Sequence, residues 1–382
     1  MFAKRFALLA FALILCVPKV YAQNEDFGLS CKAALLMDSA TGTVLYENNS
    51  HEKMPMASVT KIMTMLIAME NIDSGKISYD DTVTGSAYAK SMGGSTIFLD
   101  EGEQLSVNDI LKGIAVASGN DAAVAMAEHI AGSAPAFVEM MNQKAAELGM
   151  TQTHFVTPSG LHDDQHYSTA YDMALLAAEA MQNEEFAAAV GQTTLSVPFI
   201  SPEKTVRYEN HNRLLKLYPD CTGIKTGFTK KAGRCLVSSA ERDGARLICV
   251  TLNAPDDWND HMNLYDYGFA QLAERTYTAG FQLISLPVVG GEKECISLTL
   301  QTQESAVLPK DVTVTAGCIL PQFVYAPVEK GDVIGCVRYS VNGKVLKETP
   351  LVSSEDCALQ KDERTWLQKW FARFLRSTSF IN

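Results

Sequence analysis

The chain has 382 residues, 47% of them hydrophobic, and a formal net charge of −12. That length is too great for one compact core and predicts two domains, with apolar content enough to fill them. The acidic balance excludes nucleic acid as an expected partner, since a phosphate binder needs a surplus of cations.

The chain begins with Lys4 and Arg5, an apolar run from Phe6 to Val17, and small residues at Val20-Tyr21-Ala22. This pattern predicts a signal peptide over residues 1–22, cleaved before Gln23, and hence an exported protein. A lipidated Cys16 fits less well, because bulky Leu15 precedes it. Cleavage removes Lys4, Arg5 and Lys19 and no acid, which takes the net charge to −15. Eight cysteines remain, none in a Cys-x-x-Cys pair, so no zinc or other metal is expected. Cys235 and Cys249 could face each other across a hairpin turning at Arg242-Asp243-Gly244, although scattered buried thiols explain them equally well.

Two short apolar runs, Ala33–Met37 and Thr43–Tyr46, flank the turn-forming Asp38-Ser39-Ala40-Thr41-Gly42 and predict a hairpin. Next comes Pro55-Met56-Ala57-Ser58-Val59-Thr60-Lys61, which runs into the apolar segment Ile62–Met69. A helix begun near Ser58 sets Lys61 one turn along on the same face, a nucleophile beside a base. Ser-x-x-Lys alone is weak and arises by chance about once in a chain of this size. Ser50-His51-Glu52-Lys53 and Ser201-Pro202-Glu203-Lys204 match it too, but one lies in a polar run and the other contains a proline. Only Ser58 opens a segment apolar enough to bury a lysine and make its amine neutral.

From Tyr79 to about Val190 the pattern is mostly helical, clearest at Val107–Ile114 and Ala122–Ile130, and predicts a helical subdomain. Strand character returns at Gly223–Phe228, Arg234–Ser239 and Arg246–Leu252, followed by a helix over about His261–Arg275. These three strands and the first two are expected to form one antiparallel five-stranded sheet covered by helices, an α/β (α+β) domain over residues 23–278. Short runs broken by Gly and Pro then predict a small all-β domain over 279–357, with strands at 282–286, 296–300, 312–314, 333–337 and 345–347. In the last stretch, 358–382, Trp366, Leu367, Trp370, Phe371, Phe374 and Leu375 recur at helical spacing beside Lys369, Arg373 and Arg376. Such a basic amphipathic helix suits a membrane surface and is too short to span a bilayer.

Ala117-Ser118-Gly119-Asn120-Asp121 falls between two helical stretches, and Lys225-Thr226-Gly227 falls on a predicted strand, where the missing side chain of Gly227 admits a substrate backbone. Ser-x-Asn also occurs at Ser106-Val107-Asn108 and Ser340-Val341-Asn342, so the signal lies in the ordered set rather than in any one member.

With that set the chain resembles the low-molecular-mass penicillin-binding proteins, specifically the serine-type D-alanyl-D-alanine carboxypeptidases, over essentially its whole length. Gly94–Leu99, Gly113–Ala122 and Tyr167–Ala174 look like the family as well. The resemblance implies a β-lactamase/transpeptidase-like fold, no cofactor, and a peptidoglycan stem peptide ending in D-Ala-D-Ala as substrate, with β-lactams as inhibitors. It implies that Ser58 attacks, Lys61 takes its proton, Ser118 protonates the leaving amine, and Asn120 holds the substrate amide. Backbone N–H groups of Ser58 and Phe228 would form the oxyanion hole, and Lys225 and Thr226 would meet the terminal carboxylate. Where the family carries an arginine in an Asn-x-Asn element, this chain has Asn210-His211-Asn212 with Arg213 next, leaving His211 and Arg213 as alternatives for that task. Asp172 matches a family position for which a structural or supporting role is expected.

His154, His162 and His166 with Asp163 and Asp164 match no standard zinc spacing, and Pro158 and Gly160 make this stretch a surface or site-rim loop. The rival readings are a β-lactamase, which would need a deacylating glutamate motif absent here, a D,D-endopeptidase using the same residues, and a catalytically dead cell-wall-binding module.

Overall fold

The computed structural model describes residues 27–277, 284–361 and 366–368. The predicted leader at 1–22 and most of the predicted tail helix lie outside the described residues.

Strands β1 (Ala33–Asp38) and β2 (Val44–Asn48) form the expected hairpin. After it, Ala57–Thr60 makes a single 3₁₀ turn that feeds helix α1 (Lys61–Asp73). Helices α2 (Val107–Val116), α3 (Asn120–Ala131), α4 (Ala134–Glu147) and α5 (Ala170–Ala180) build the helical subdomain. The chain then returns as β3 (Cys221–Thr229), β4 (Gly233–Arg242), β5 (Ala245–Leu252) and helix α6 (Asp257–Ala270). All five strands form one antiparallel sheet in the order β2-β1-β5-β4-β3, as the sequence pattern predicts.

The tight β4–β5 turn places Asp243 and Gly244 both at positive φ, which suits the right-handed twist of a hairpin. Helix α1 is apolar on nearly every face because it lies in the middle of the domain, and ten of its thirteen residues are buried. A second core on the far face of the sheet packs Leu36, Leu236 and Leu247 with Tyr265 of α6. There a Cβ on Gly268 would come 2.5 Å from Leu36, so this glycine lets helix and sheet close.

Some elements differ from the sequence reading. Helix α6 starts four residues before His261, with Asp257 and Asp260 in its first turn, and ends at Ala270. Residues assigned to its end instead form strand β6 (Leu272–Tyr277), whose burial alternates and which pairs with β9 (Glu304–Pro309). Two hairpins were not expected, Thr82–Thr84 with Gln104–Ser106 and Thr194–Phe199 with Lys204–Glu209. Cys235 opposes Leu252 and Cys249 opposes Ser238, so these thiols do not face each other and both are free and buried.

The remaining residues form a six-stranded sheet from β7 (Ile284–Val289), β8 (Cys295–Leu300), β10 (Thr315–Ile319), β11 (Val324–Tyr325), β12 (Val333–Val341) and β13 (Lys344–Ser353). Its order is β10-β12-β13-β8-β7-β11. The run at 312–314 precedes a strand rather than forming one. Of the tail, Trp366–Gln368 are helical, with Trp366 and Leu367 exposed. Among the described residues no helix is long and apolar enough to cross a membrane.

Candidate active site

The seam between the sheet and the helical subdomain opens into a cleft of about 440 Å³. Three parts of the chain meet there: the turn before α1, the turn between α2 and α3, and the outer strand β3. Ser58, Ser118, Thr226, Gly227, Phe228 and His211 all lie on its wall.

The 3₁₀ turn brings the Lys61 amine 3.0 Å from Ser58 Oγ. Lys61 is fully buried and makes two shorter contacts, 2.6 Å to Asn120 Oδ1 and 2.7 Å to the Ser159 carbonyl oxygen. Asn120 is oriented by its own amide group, which donates to the Gly93 carbonyl at 2.6 Å. Both short partners of Lys61 can only accept. A neutral amine therefore spends its two N–H bonds on them and turns its lone pair toward the Ser58 hydroxyl, the geometry of a general base. Burial holds the amine well below its ordinary value, helped by the Lys225 ammonium and opposed by Asp121.

Ser118 is buried between α2 and α3 at φ +59°, a conformation uncommon for a residue with a side chain. Asp121 accepts from the backbone N–H groups of Ile97 and Leu99 at 3.0 and 2.9 Å, which draws the facing segment over the cleft. On β3, Lys225 is buried and donates to the Thr226 carbonyl, and burial lowers its value to about 7. A Cβ on Gly227 would lie 3.0 Å from Ser58 N and from Met56 O, so the neighbour that needs this glycine is the nucleophile turn itself.

His211 lines the cleft, and desolvation followed by the charges of Lys225 and Lys61 lowers its value. Arg213 is exposed at the start of the short helix Leu214–Leu217 and is not among the cleft's lining residues. Asn210 and Asn212 serve the backbone: Asn210 Oδ1 accepts from Asn212 N, and Asn212 Oδ1 accepts from Leu214 N. Asp172 accepts from Thr153 Oγ1 and Gln152 N at 2.7 and 2.9 Å. The three histidines of the loop do not converge: His166 is buried, His154 bonds the Gln165 carbonyl, and His162 lies 3.3 Å from exposed Asp164.

The sequence reading missed one wall of the cleft, made by Arg234, Asp257 and Trp258. Arg234 donates from Nε and Nη2 to Asp257 Oδ1 at 3.1 and 2.6 Å, and its guanidinium lies 4.9 Å from the centre of the Trp258 ring. The signal for Arg234 is strand register, since it stands directly opposite Phe228 across β3 and β4.

Comparison with known proteins follows the same outline. Residues 19–256 match the family described as D-alanyl-D-alanine carboxypeptidase, and residues 273–358 match the C-terminal domain of penicillin-binding protein 5. D-alanyl-D-alanine carboxypeptidase DacF of Bacillus subtilis is 39% identical over 361 residues, covering 91% of this chain and 92% of its own. DacC of Escherichia coli is 34% identical over 369 residues, covering 90% and 89%. Penicillin-binding protein 5 from Haemophilus influenzae superposes with a TM-score of 0.64 at 33% identity, over 86% of this chain and 98% of that one. Across its length, from nucleophile turn to β-domain, the chain therefore belongs to the D-alanyl-D-alanine carboxypeptidase family of serine peptidases.

Proposed function

We propose that this chain removes the terminal D-alanine from peptidoglycan stem peptides ending in D-Ala-D-Ala, through an acyl-enzyme on Ser58 that β-lactams trap. One observation carries the reading: the buried Lys61 amine stands 3.0 Å from Ser58 Oγ and closer still, at 2.6 and 2.7 Å, to two pure acceptors, Asn120 Oδ1 and the Ser159 carbonyl, so that a neutral amine gives them its N–H bonds and keeps its lone pair for Ser58. Ser58 attacks the carbonyl between the two D-alanines while Lys61 accepts its proton. The oxyanion is held by the N–H groups of Ser58 and Phe228, the latter on the free edge of β3. Ser118 relays to the departing D-alanine amine the proton that Lys61 took from Ser58, Asn120 also holds the substrate amide, and water, giving a proton to Lys61 that then returns to Ser58, releases the shortened peptide.

A carboxylate needs a lasting positive charge opposite it. Lys225, lowered to about 7, holds its proton only part of the time at neutral pH, whereas Arg234 is always charged. Lys225, Thr226 and Arg234 together meet the terminal carboxylate in this reading, with His211 on the neighbouring wall. Arg213, away from the cleft, takes no part. The only carboxylate on the described cleft wall is Asp257, bound to Arg234, which disfavours the efficient deacylation that a β-lactamase needs. Export through residues 1–22, a catalytic domain over 23–278, a β-domain over 279–357 and peripheral membrane attachment through 358–382 belong to the same proposal.

The test is D-alanine release from diacetyl-Lys-D-Ala-D-Ala by the mature protein, with and without penicillin. Penicillin-blocked release, lost together with covalent penicillin labelling in Ser58→Ala while the fold persists, is the expected result. Rapid penicillin turnover points to a β-lactamase instead, and labelling that survives the substitution places the nucleophile elsewhere.

A further inference from the structure

His166 is buried, at 3% exposure, directly behind the nucleophile turn, and the mechanism above makes no use of it. Its Nδ1 lies 2.9 Å from the backbone nitrogen of Val156, which can only donate. Nδ1 therefore carries the lone pair and Nε2 carries the hydrogen. That N–H points at Thr60 Oγ1, 2.8 Å away, and the Thr60 hydroxyl in turn donates to the Ala57 carbonyl oxygen at 2.8 Å. The result is a chain of donors with one direction, from Val156 through His166 and Thr60 to the Ala57 carbonyl. Burial lowers the imidazole to about 4, so it stays neutral in the working range and keeps this polarity.

The last acceptor is the informative one. Ala57 sits at φ +50°, a conformation that a residue with a side chain rarely holds unless its surroundings impose it. Its carbonyl and the Ser58 N–H belong to one peptide unit, and in a trans peptide the two point in opposite directions. Pinning the carbonyl on the buried side aims the Ser58 N–H into the cleft. Gly160 closes over the same carbonyl so tightly that a Cβ there would fall 2.0 Å from the oxygen.

We infer that His166 is a positioning residue that, acting through Thr60, sets the Ala57–Ser58 peptide so that the Ser58 N–H serves as an oxyanion donor. This rests on the acyl-enzyme reading given above. It concerns stabilisation of the developing oxyanion and leaves the Lys61–Ser58 proton transfer as described.

The experiment compares His166→Asn, His166→Gln, Thr60→Val and the double variant His166→Asn/Thr60→Val in the full chain. Readouts are the second-order rate of acylation by fluorescent penicillin, kcat and KM for the D-Ala-D-Ala peptide, and the melting temperature. Glutamine carries an N–H donor about as far out as Nε2, whereas asparagine falls short of Thr60. Removing a whole oxyanion donor costs about 10²–10³ in rate, so tilting one should cost about 10- to 100-fold in acylation and in kcat, with little change in KM. That loss is expected in His166→Asn and in Thr60→Val, with most of the rate restored in His166→Gln and no further loss in the double variant, since both residues act through one chain. A scissile thiocarbonyl adds a readout that packing alone would not move: the oxo-to-thiono rate ratio of a depsipeptide substrate should fall in His166→Asn. A folded His166→Asn that acylates at the wild-type rate, losses that multiply in the double variant, or an unchanged oxo-to-thiono ratio would each overturn the inference. A wild-type protein that is never acylated on Ser58 would instead remove the functional reading beneath it.

Discussion

Two lysines, Lys61 and Lys225, are buried beside one cleft and have opposite obligations. In the proposed mechanism Lys61 must be neutral to take a proton from Ser58, whereas Lys225 helps Arg234 meet the carboxylate only in its charged form. Both are buried, and burial costs stability because the unfolded chain can protonate what the folded chain cannot. Between its folded value of about 7 and its ordinary value of 10.5, Lys225 binds more proton in the unfolded state. Its contribution to stability therefore rises with pH across that window and is most adverse at the acidic end. Lys225→Met should unfold at a higher temperature than wild type near pH 7, by about 2 kcal/mol in stability, with the gain shrinking toward pH 10.5. The same variant should lose peptide hydrolysis, and thermal melts at a series of pH values together with a release assay check both halves. At this scale the nearness of Ser58 and Lys61 is legible because residues three apart in a helical turn are neighbours, and the apolar segment after them singles this pair out from two other Ser-x-x-Lys matches. Their partner Asn120 is 59 positions from Lys61 and was legible only as part of a motif set. Arg234 and His166 escape the sequence reading because one depends on strand register and the other on burial, whereas the pattern of residues 154–166 reads as a surface or site-rim loop.

The loop of residues 156–166 shows how an irregular element can be more constrained than a helix. It gives the Ser159 carbonyl to Lys61, the Pro158 carbonyl to Thr64 at 2.6 Å, and the His166 imidazole to Thr60. Every one of these bonds ends on the turn or first two turns that carry the nucleophile. Gly160, at φ +81° and pressed on Ala57, is the position where the loop has no slack. Gly160→Ala should cost about 2 kcal/mol or more in stability and most of the acylation rate, read by a melting curve and by penicillin labelling. A fully active and equally stable alanine variant would show that the loop yields freely. The regular elements were easier to read. The five strands of the catalytic sheet carry short apolar or β-branched stretches closed by Gly-containing turns, and each is legible in the sequence. Helix α6 is shifted from the sequence reading and β6 is absent from it because Leu272–Tyr277 takes its strand character from a partner 27 to 37 residues on, which local periodicity does not register.

For the molecule as a whole, the proposed membrane attachment is the reading most open to a single cut. Lys361, Arg364, Lys369, Arg373 and Arg376 outnumber Asp362 and Glu363 by three in a chain whose overall charge is −12. Deleting residues 361–382 should leave the protein in the supernatant after membranes are pelleted while its activity on a soluble peptide persists; a truncated form that still pellets would defeat the anchor. The sheet order β2-β1-β5-β4-β3 makes the helical subdomain an insertion between the second and third strands of one sheet. The cleft lies along that seam, with Asn120 contributed by the insertion and Thr226 by the sheet. No half of the molecule owns the active site. A β-lactam bound to Ser58 would touch both sides of the joint and act as a staple, stabilising the folded state as any group held only by the native structure does. The drug that silences such an enzyme would also preserve its body, so silenced copies should outlast working ones wherever unfolding limits their lifetime.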